Sequence, residues 1–191
     1  GPIPPSDEWF DEAADPGVAY DPEAAIAALE KGRWTKKDDG WYLDGGTDPL
    51  SFEVLSPSED SNPALFATAA AIVKAWQAID VAATHVPLPP GEFATERLAT
   101  GDFDVAVTDV TIGMDPDLYP LLASTQTLTG GSNVSGVQDE RLERLLVKAR
   151  APGSDAARAA AYTALQEHLA AGRFVLPIAF ADEVIVVHDT L

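Results

Sequence analysis

The chain has 191 residues and no cysteine, and its 31 aspartates and glutamates outnumber 12 lysines and arginines to give a formal net charge of −19. This length suits one large domain that buries roughly 70% of its unfolded surface. The composition excludes disulfides and thiolate metal sites, and the charge disfavours nucleic acid, anionic membranes and anionic ligands.

A solvated acidic surface, typical of a secreted or salt-tolerant protein, is the simplest explanation of the charge. No stretch approaches the ~20 apolar residues of a membrane span, and none has the pattern of a signal peptide. The chain begins at Gly1 without a methionine. We therefore expect a piece of a longer gene product.

The first 50 residues predict an extended segment, a helix and a hairpin. Residues 1–20 are rich in proline and acidic side chains, with Trp9 and Phe10 as the large apolar pair that would hold the segment in place. Residues 21–32 begin with an Asp-Pro pair and end at a glycine, which predicts a capped helix. Aromatic residues between two Asp/Gly-rich turns predict a hairpin over residues 34–46.

From residue 50 onward, short apolar runs alternate with amphipathic helical segments. This strand–helix–strand order is typical of a parallel sheet, and the run at 103–108 is predicted to be an internal strand buried on both faces. The sequence thus predicts an α/β fold: a mostly parallel twisted sheet with helices on both faces. The predicted strands lie near residues 50–55, 82–87, 103–108, 174–180 and 183–188.

The stretch after the third predicted strand changes from apolar to small and polar residues. Asp115 and Pro116 then form an N-cap and first helical position, so a helix is predicted to begin there. Such a turn leaves the carboxyl end of the strand open, and open α/β sheets bind ligands at these ends.

The candidate ligand-binding residues are those that the topology brings to this end of the sheet. A long loop of small polar residues at 124–136 is predicted to lie over the same rim. Hydroxyls, amides and backbone groups suit an uncharged polar ligand. The alternative is that each residue bonds its own backbone in a turn. The candidates are Ser56, Ser58, Thr108, Asp109, Val110, Thr111, Asn133 and Ser135.

No metal site, cofactor or catalytic centre is predicted. The three histidines fall in different predicted elements without metal-ligand spacing. Asp104 and Asp109 lie at opposite ends of one strand, so no catalytic dyad follows from them, although an acidic hydrolase that uses either one remains an alternative. The sequence has no GxSxG, P-loop or GxGxxG motif. The histidines are His85, His168 and His188.

Several of these segments together resemble one protein family. The residues are GDFDVAV at 101–107, DPDLYP at 115–120, NVSG at 133–136, and Tyr20 with the Asp-Pro-Glu and Ala25 that follow. In order and spacing they resemble family-5 extracellular solute-binding proteins, the receptors of bacterial ABC importers for peptides, nickel and some sugars. The resemblance runs from Pro4 to the end of the chain and covers only the second of the family's two lobes.

The resemblance implies a single type II periplasmic-binding-protein-like lobe, with a hinge-proximal entry segment at 1–20 and the solute-binding lobe at 21–191. Its implied partners are a small-molecule or peptide solute, the missing first lobe and a membrane permease. The implied location is the extracellular or periplasmic face of a bacterial membrane, with a lipid anchor. A free-standing α/β interaction or regulatory domain is the alternative.

One departure from the family concerns the ligand. Peptide-binding members carry a tryptophan and, three residues later, an aspartate that pairs with the peptide amine. Counted back from Asp115, these positions hold Asp109 and Ile112. The usual amine-binding carboxylate is therefore absent, and the resemblance implies the fold without implying which solute binds.

Overall fold

The computed structural model describes residues 1–113, 115–127, 131–151 and 153–180. The helices are α1 (Pro22–Lys31), α2 (Pro63–Gln77), α3 (Tyr119–Leu122), α4 (Glu140–Ala149) and α5 (Asp155–Gly172). The strands are β1 (Trp34–Lys37), β2 (Gly40–Leu43), β3 (Ser51–Pro57), β4 (Ala82–Leu88) and β5 (Val105–Ala106). A π-helical segment (Glu92–Leu98) and a 3-10 turn (Ser124–Gln126) are the remaining described helical elements.

The main sheet has three parallel strands in the order β4-β3-β5, and helices cover both of its faces. Successive side chains of a strand point to opposite faces. Accordingly, Val54 packs with Val73 of α2 on one face, whereas Leu55 packs with Leu88 and Phe93 of the π-helical segment on the other. The predicted α/β class with a parallel sheet is confirmed.

The third strand differs from its prediction. Within the described residues, β5 is two residues long, pairs with β3 alone and lies at the edge of the sheet, so the predicted internal position of 103–108 is wrong there. Its amino end is polar: the Asp104 carboxylate accepts a hydrogen bond from the Glu53 backbone N–H at 2.9 Å. In a longer strand, a backbone carbonyl would accept this hydrogen bond. The strand predicted at 183–188 lies outside the described residues.

No strand forms over residues 174–180, so this prediction is wrong. Arg173 has a left-handed backbone that turns the chain after α5, and Pro177 lacks the N–H that a central strand would need. Two side chains of this extended segment pack against the helices, and three large hydrophobic ones are exposed. The packed ones are Phe174 and Val175, and the exposed ones are Leu176, Ile178 and Phe180.

A second core joins α3, α4 and α5. Leu142, Leu146 and Leu165 are almost fully buried within it. Asp139 caps α4 and Ser154 caps α5, each accepting a hydrogen bond from a backbone N–H of the first turn. Among the described residues, no helix combines the length and apolar character needed to cross a membrane.

The helix predicted to start at Asp115 and Pro116 begins later, at Tyr119. Asp115 is paired with Arg158 and Asp117 with Arg150, so both carboxylates hold the chain against α5 and α4. Asp117 also accepts a hydrogen bond from the Tyr119 N–H at 3.0 Å. These contacts fix a turn where the sequence alone predicted the first helical residues.

The amino-terminal elements confirm their predictions. Asp21 caps α1, which ends before Gly32, and β1 and β2 form the antiparallel hairpin. The buried Trp41 of this hairpin donates its indole N–H to the Ile79 carbonyl at 2.6 Å. This hydrogen bond connects the hairpin to the turn that follows α2.

Candidate functional site

The carboxyl ends of the three parallel strands meet at one edge of the sheet. The Val107 N–H donates to the Leu55 carbonyl and the Ser58 N–H to the Leu88 carbonyl, each at 2.8 Å. The first bond places Val107 beside the end of β3, and the second places Ser58 beside the end of β4, so residues 56–58 and residues 107–111 both begin at this edge. We call these two segments the carboxyl rim. It is the position at which open α/β sheets bind ligands.

Ser56 belongs to the interior of the rim. It is fully buried, and its hydroxyl donates to the Pro57 carbonyl at 2.9 Å. Its oxygen also lies 2.8 Å from Nε2 of His85, a ring that packs against Phe66. Because the Ser56 hydrogen is used on Pro57, Nε2 is the donor to Ser56. This is the reverse of a serine activated by a basic imidazole.

The His85 contact predicts a pH dependence of stability. Burial lowers the pKa of His85 below its ordinary value of 6.5. The unfolded chain therefore binds a proton more readily than the folded one, and the free energy of unfolding falls as the pH drops through about 6.5 towards the lower folded pKa. Urea denaturation between pH 8 and pH 5 should show a smaller loss for His85→Gln, whose amide can still donate to Ser56.

His168→Gln is the matched control for this prediction. His168 is bound to the Asp139 carboxylate at 2.9 Å on the helical side of the molecule, so its substitution leaves the His85 contact in place. An unchanged pH profile in His85→Gln would contradict the assignment.

Ser58 and Thr108 lie on the rim with hydroxyls that already have protein partners. The Ser58 hydroxyl lies 3.0 Å from that of Ser61, and the Thr108 hydroxyl donates to the Asp109 carbonyl at 3.3 Å. Both side chains are half-buried. The turn interpretation therefore describes them at least as well as ligand binding does.

The exposed part of the rim is the segment that follows β5. Asp109, Val110 and Thr111 are exposed, and Val110 keeps 51% of its surface accessible. Ile112 occupies the position at which peptide-binding members of family 5 carry the amine-binding aspartate. It is half-buried and packs against the helical core. Asp109, Val110 and Thr111 are thus the predicted candidates on the rim whose side chains are exposed.

Asn133 and Ser135 lie in the helical part of the molecule. Asn133 is fully buried, and its amide nitrogen donates to the carbonyls of Leu122, Ala123 and Val137. Its amide oxygen accepts hydrogen bonds from the Ser135 hydroxyl and the Val137 N–H. The side chain that was predicted to face a solute therefore joins the end of α3 to the start of the α4 region.

The rim and the residues that continue from the ends of β3 and β4 carry negative charge. Residues 56–62, 88–92 and 107–113 contain Glu59, Asp60, Glu92 and Asp109 but no lysine or arginine. A neutral or positively charged solute therefore suits this edge better than an anion. The described residues contain no cluster of three or more side chains that could hold a metal ion.

Sequence reasoning missed a polar face of α5. Arg158, Tyr162 and Gln166 are spaced by four residues and so lie on one side of the helix. Tyr162 and Gln166 are nevertheless buried. Tyr162 contacts Trp9 and Asp115, and Gln166 contacts the Trp9 backbone. The i, i+4, i+8 spacing was the signal that could have revealed this face.

Solved structures with similar folds are solute-binding proteins. The oligopeptide-binding protein AppA from Bacillus subtilis, in complex with a nonapeptide, has a TM-score of 0.77 and 18% identity, covering 91% of this chain and 34% of that one. NikZ from Campylobacter jejuni, in complex with Ni(L-His), has a TM-score of 0.67 and 23% identity, covering 78% and 30%. These similarities show the fold of a periplasmic-binding-protein lobe.

A third similar structure is the mannohexaose-bound periplasmic oligopeptide-binding protein from Thermotoga maritima, with a TM-score of 0.74 and 17% identity over 88% of this chain and 33% of that one. The chain thus spans about a third of the length of the solved proteins that it resembles. No curated protein matches the chain in sequence.

Residues 1–133 match the family described as bacterial extracellular solute-binding proteins, family 5, middle. The match covers more than half of the 191 residues, and the chain belongs to this family. The resemblance noted in the sequence is confirmed.

Proposed function

We propose that this chain is the second lobe of an extracellular solute-binding protein that captures a small solute for an ABC importer. The observation that carries the proposal is the carboxyl rim, where Asp109, Val110 and Thr111 stand exposed at the edge of a parallel sheet. Membership of the solute-binding family supports it.

The ligand is proposed to be a peptide-like or other polar molecule that is neutral or positively charged. The solved relatives hold a nonapeptide, a nickel–histidine complex and a mannohexaose, so this fold accommodates different polar solutes. Asp109 is the exposed carboxylate of the segment after β5 and would meet a cationic group of the solute. Ile112 packs inward and would not.

The rest of the receptor is proposed from the family and the length of the chain. Residues 1–20 would lead in from a hinge, and residues 21–191 would form the lobe. The proposed partners are a first lobe of the same protein and a membrane permease. The proposed location is the extracellular or periplasmic face of the membrane, with a lipid anchor.

Binding without catalysis is the proposed activity. Ser56 is buried and uses its hydroxyl hydrogen on a carbonyl, which does not suit a nucleophile. Asp104 bonds the Glu53 N–H at the amino end of β5, whereas Asp109 follows its carboxyl end. The two carboxylates considered for a hydrolase are therefore at opposite ends of the strand.

The rim residue Asp109 provides the test. A panel of peptides, nickel–histidine and oligosaccharides is screened by thermal shift against the protein extended to both lobes. For a cationic solute that binds, Asp109→Asn should weaken the affinity about tenfold, because one charge-assisted contact of ~1.4 kcal/mol is lost. Isothermal titration calorimetry measures the change.

Glu30→Gln is the matched control, since Glu30 is an exposed carboxylate at the end of α1. It should leave the affinity unchanged. Equal affinity in Asp109→Asn would remove Asp109 from the site, and failure of every solute to bind would favour the free-standing interaction domain.

A further inference from the structure

Few described contacts hold the segment at residues 108–113: Ile112 packs against the helical core, and the chain on either side of the segment is bound to other elements. Within the described part of the chain, none of its backbone N–H groups donates a hydrogen bond. Upstream, Val107 is bound to Leu55 of the sheet. Downstream, the chain reaches Asp115 and Pro116. What holds Asp115 and Pro116 therefore contributes to the position of Val110 and its neighbours.

The downstream end is held by α5. The Arg158 guanidinium pairs with the Asp115 carboxylate at 2.5 Å. The Tyr162 hydroxyl donates to Asp115 at 3.4 Å and to the buried Pro116 carbonyl at 3.3 Å. The hydrogen bond from Arg158 to Asp115 also raises the pKa of the guanidinium, which stays charged.

The same arginine contacts the amino-terminal segment. Its guanidinium carbon lies 5.0 Å from the centre of the Trp9 ring, and this ring stacks on Tyr162 at 5.8 Å. One turn further along α5, the buried Gln166 amide donates to the Trp9 carbonyl at 2.8 Å and accepts from the Asp11 N–H at 3.0 Å. One helix face thus holds both segments.

We propose that Arg158 is a positioning residue that couples the segment around Trp9 to residues 108–113. A shift of Trp9 would move the planar guanidinium, and the guanidinium would carry Asp115 with it. The inference rests on the proposed function only in regarding residues 108–113 as ligand-facing. Movement of the entry segment would then change the shape that the rim offers to a solute.

A second ion pair provides a matched control. Arg150, directly after α4, pairs with Asp117 at 3.1 Å and lies over the Tyr119 ring at 4.4 Å. Both arginines have the same kind of partners: each guanidinium contacts a carboxylate and an aromatic ring. The aromatic partner of Arg150 belongs to α3, however, and not to the entry segment.

The absence of cysteine makes a site-specific probe possible. Val110→Cys and Val147→Cys each introduce a single thiol for a nitroxide label. Both valines are 51% exposed, Val110 on the rim and Val147 on α4. Electron paramagnetic resonance then compares the mobility of the two segments, with no solute present.

Arg158→Gln should increase the mobile fraction of the label at position 110 about threefold, the size expected when a partly exposed ion pair is lost. The label at position 147 should not change. Arg150→Gln, which releases Asp117 on the far side of Asp115, should mobilise the label at position 110 much less than Arg158→Gln does. An unchanged spectrum of the label at position 110 in Arg158→Gln would overturn the proposal. Equal mobilisation of both labels would overturn it too, because Arg158 would then hold the whole packing of α3, α4 and α5.

The coupling itself is tested with Trp9→Leu. This change should mobilise the label at position 110 when Arg158 is present. Arg158→Lys keeps a charge for Asp115 but lacks the planar guanidinium that lies over Trp9. In that background Trp9→Leu should mobilise the label less, and the remaining effect reports the contact of Trp9 with Tyr162. Equal effects of Trp9→Leu in both backgrounds would overturn the coupling. The label experiments need no solute, so the coupling can be confirmed even if the proposed solute-binding function is wrong.

Discussion

The isolated chain should bind its solute about a thousandfold more weakly than the two-lobed protein. A ligand enclosed between two lobes loses roughly half of its buried surface when one lobe is missing. A few lost hydrogen bonds at ~1 kcal/mol each, with ~1.4 kcal/mol for each tenfold of affinity, move a micromolar ligand towards millimolar. The exposed Asp109, Val110 and Thr111 are consistent with a half-site.

Calorimetry on this chain and on the two-lobed protein, with the same solute from the panel, measures the difference. A cooperative thermal transition of the isolated chain serves as the control, because weak binding by an unfolded chain would carry no information. Its separate buried clusters around the sheet and around α3, α4 and α5 support independent folding. Equal, tight affinity in both proteins would show that the site is complete within these residues.

Asn133→Ala should be strongly destabilising, by about 3 kcal/mol or more. The change removes five hydrogen bonds of a fully buried amide. It would leave the carbonyls of Leu122, Ala123 and Val137 without this donor, and a buried polar group without a partner costs ~1–3 kcal/mol. Urea denaturation gives the free energy of unfolding.

Ser135→Ala is the matched control for Asn133→Ala. Ser135 is exposed and donates to the same amide oxygen, so its loss should cost under ~1 kcal/mol. If Asn133→Ala left the stability unchanged and abolished solute binding, Asn133 would be a ligand-binding residue as the sequence predicted. The structure favours the destabilising outcome, because the described partners use both ends of the amide.

These expectations also separate the roles of the predicted site residues. Asp109 should act on affinity, Asn133 on stability, and the His85 contact with Ser56 on the pH dependence of stability. The predicted ligand-binding set therefore contains an exposed segment after β5 and residues with internal partners. Their common polarity hid this difference in the sequence, because a hydroxyl or amide is equally suited to a solute and to a backbone group.

The sequence by itself determined the class of fold and the amino-terminal elements. Asp21, followed by proline, marked the start of α1 because capping depends on residues adjacent in the chain. The alternation of apolar runs with helices indicated the parallel sheet, since strand and helix periodicities are also local properties. The segments that resemble family 5 were likewise readable as short patterns in order.

Only the tertiary structure decided which polar residues face outward and which hold the fold together. Arg158 and Asp115 are 43 residues apart, and their pairing shifted the start of α3 to Tyr119. Nothing in the local pattern of an Asp-Pro pair distinguishes a helix cap from the partner of a distant arginine. The edge position of β5 and the burial of Asn133 have the same cause: both depend on neighbours supplied by remote parts of the chain, which local propensity does not encode.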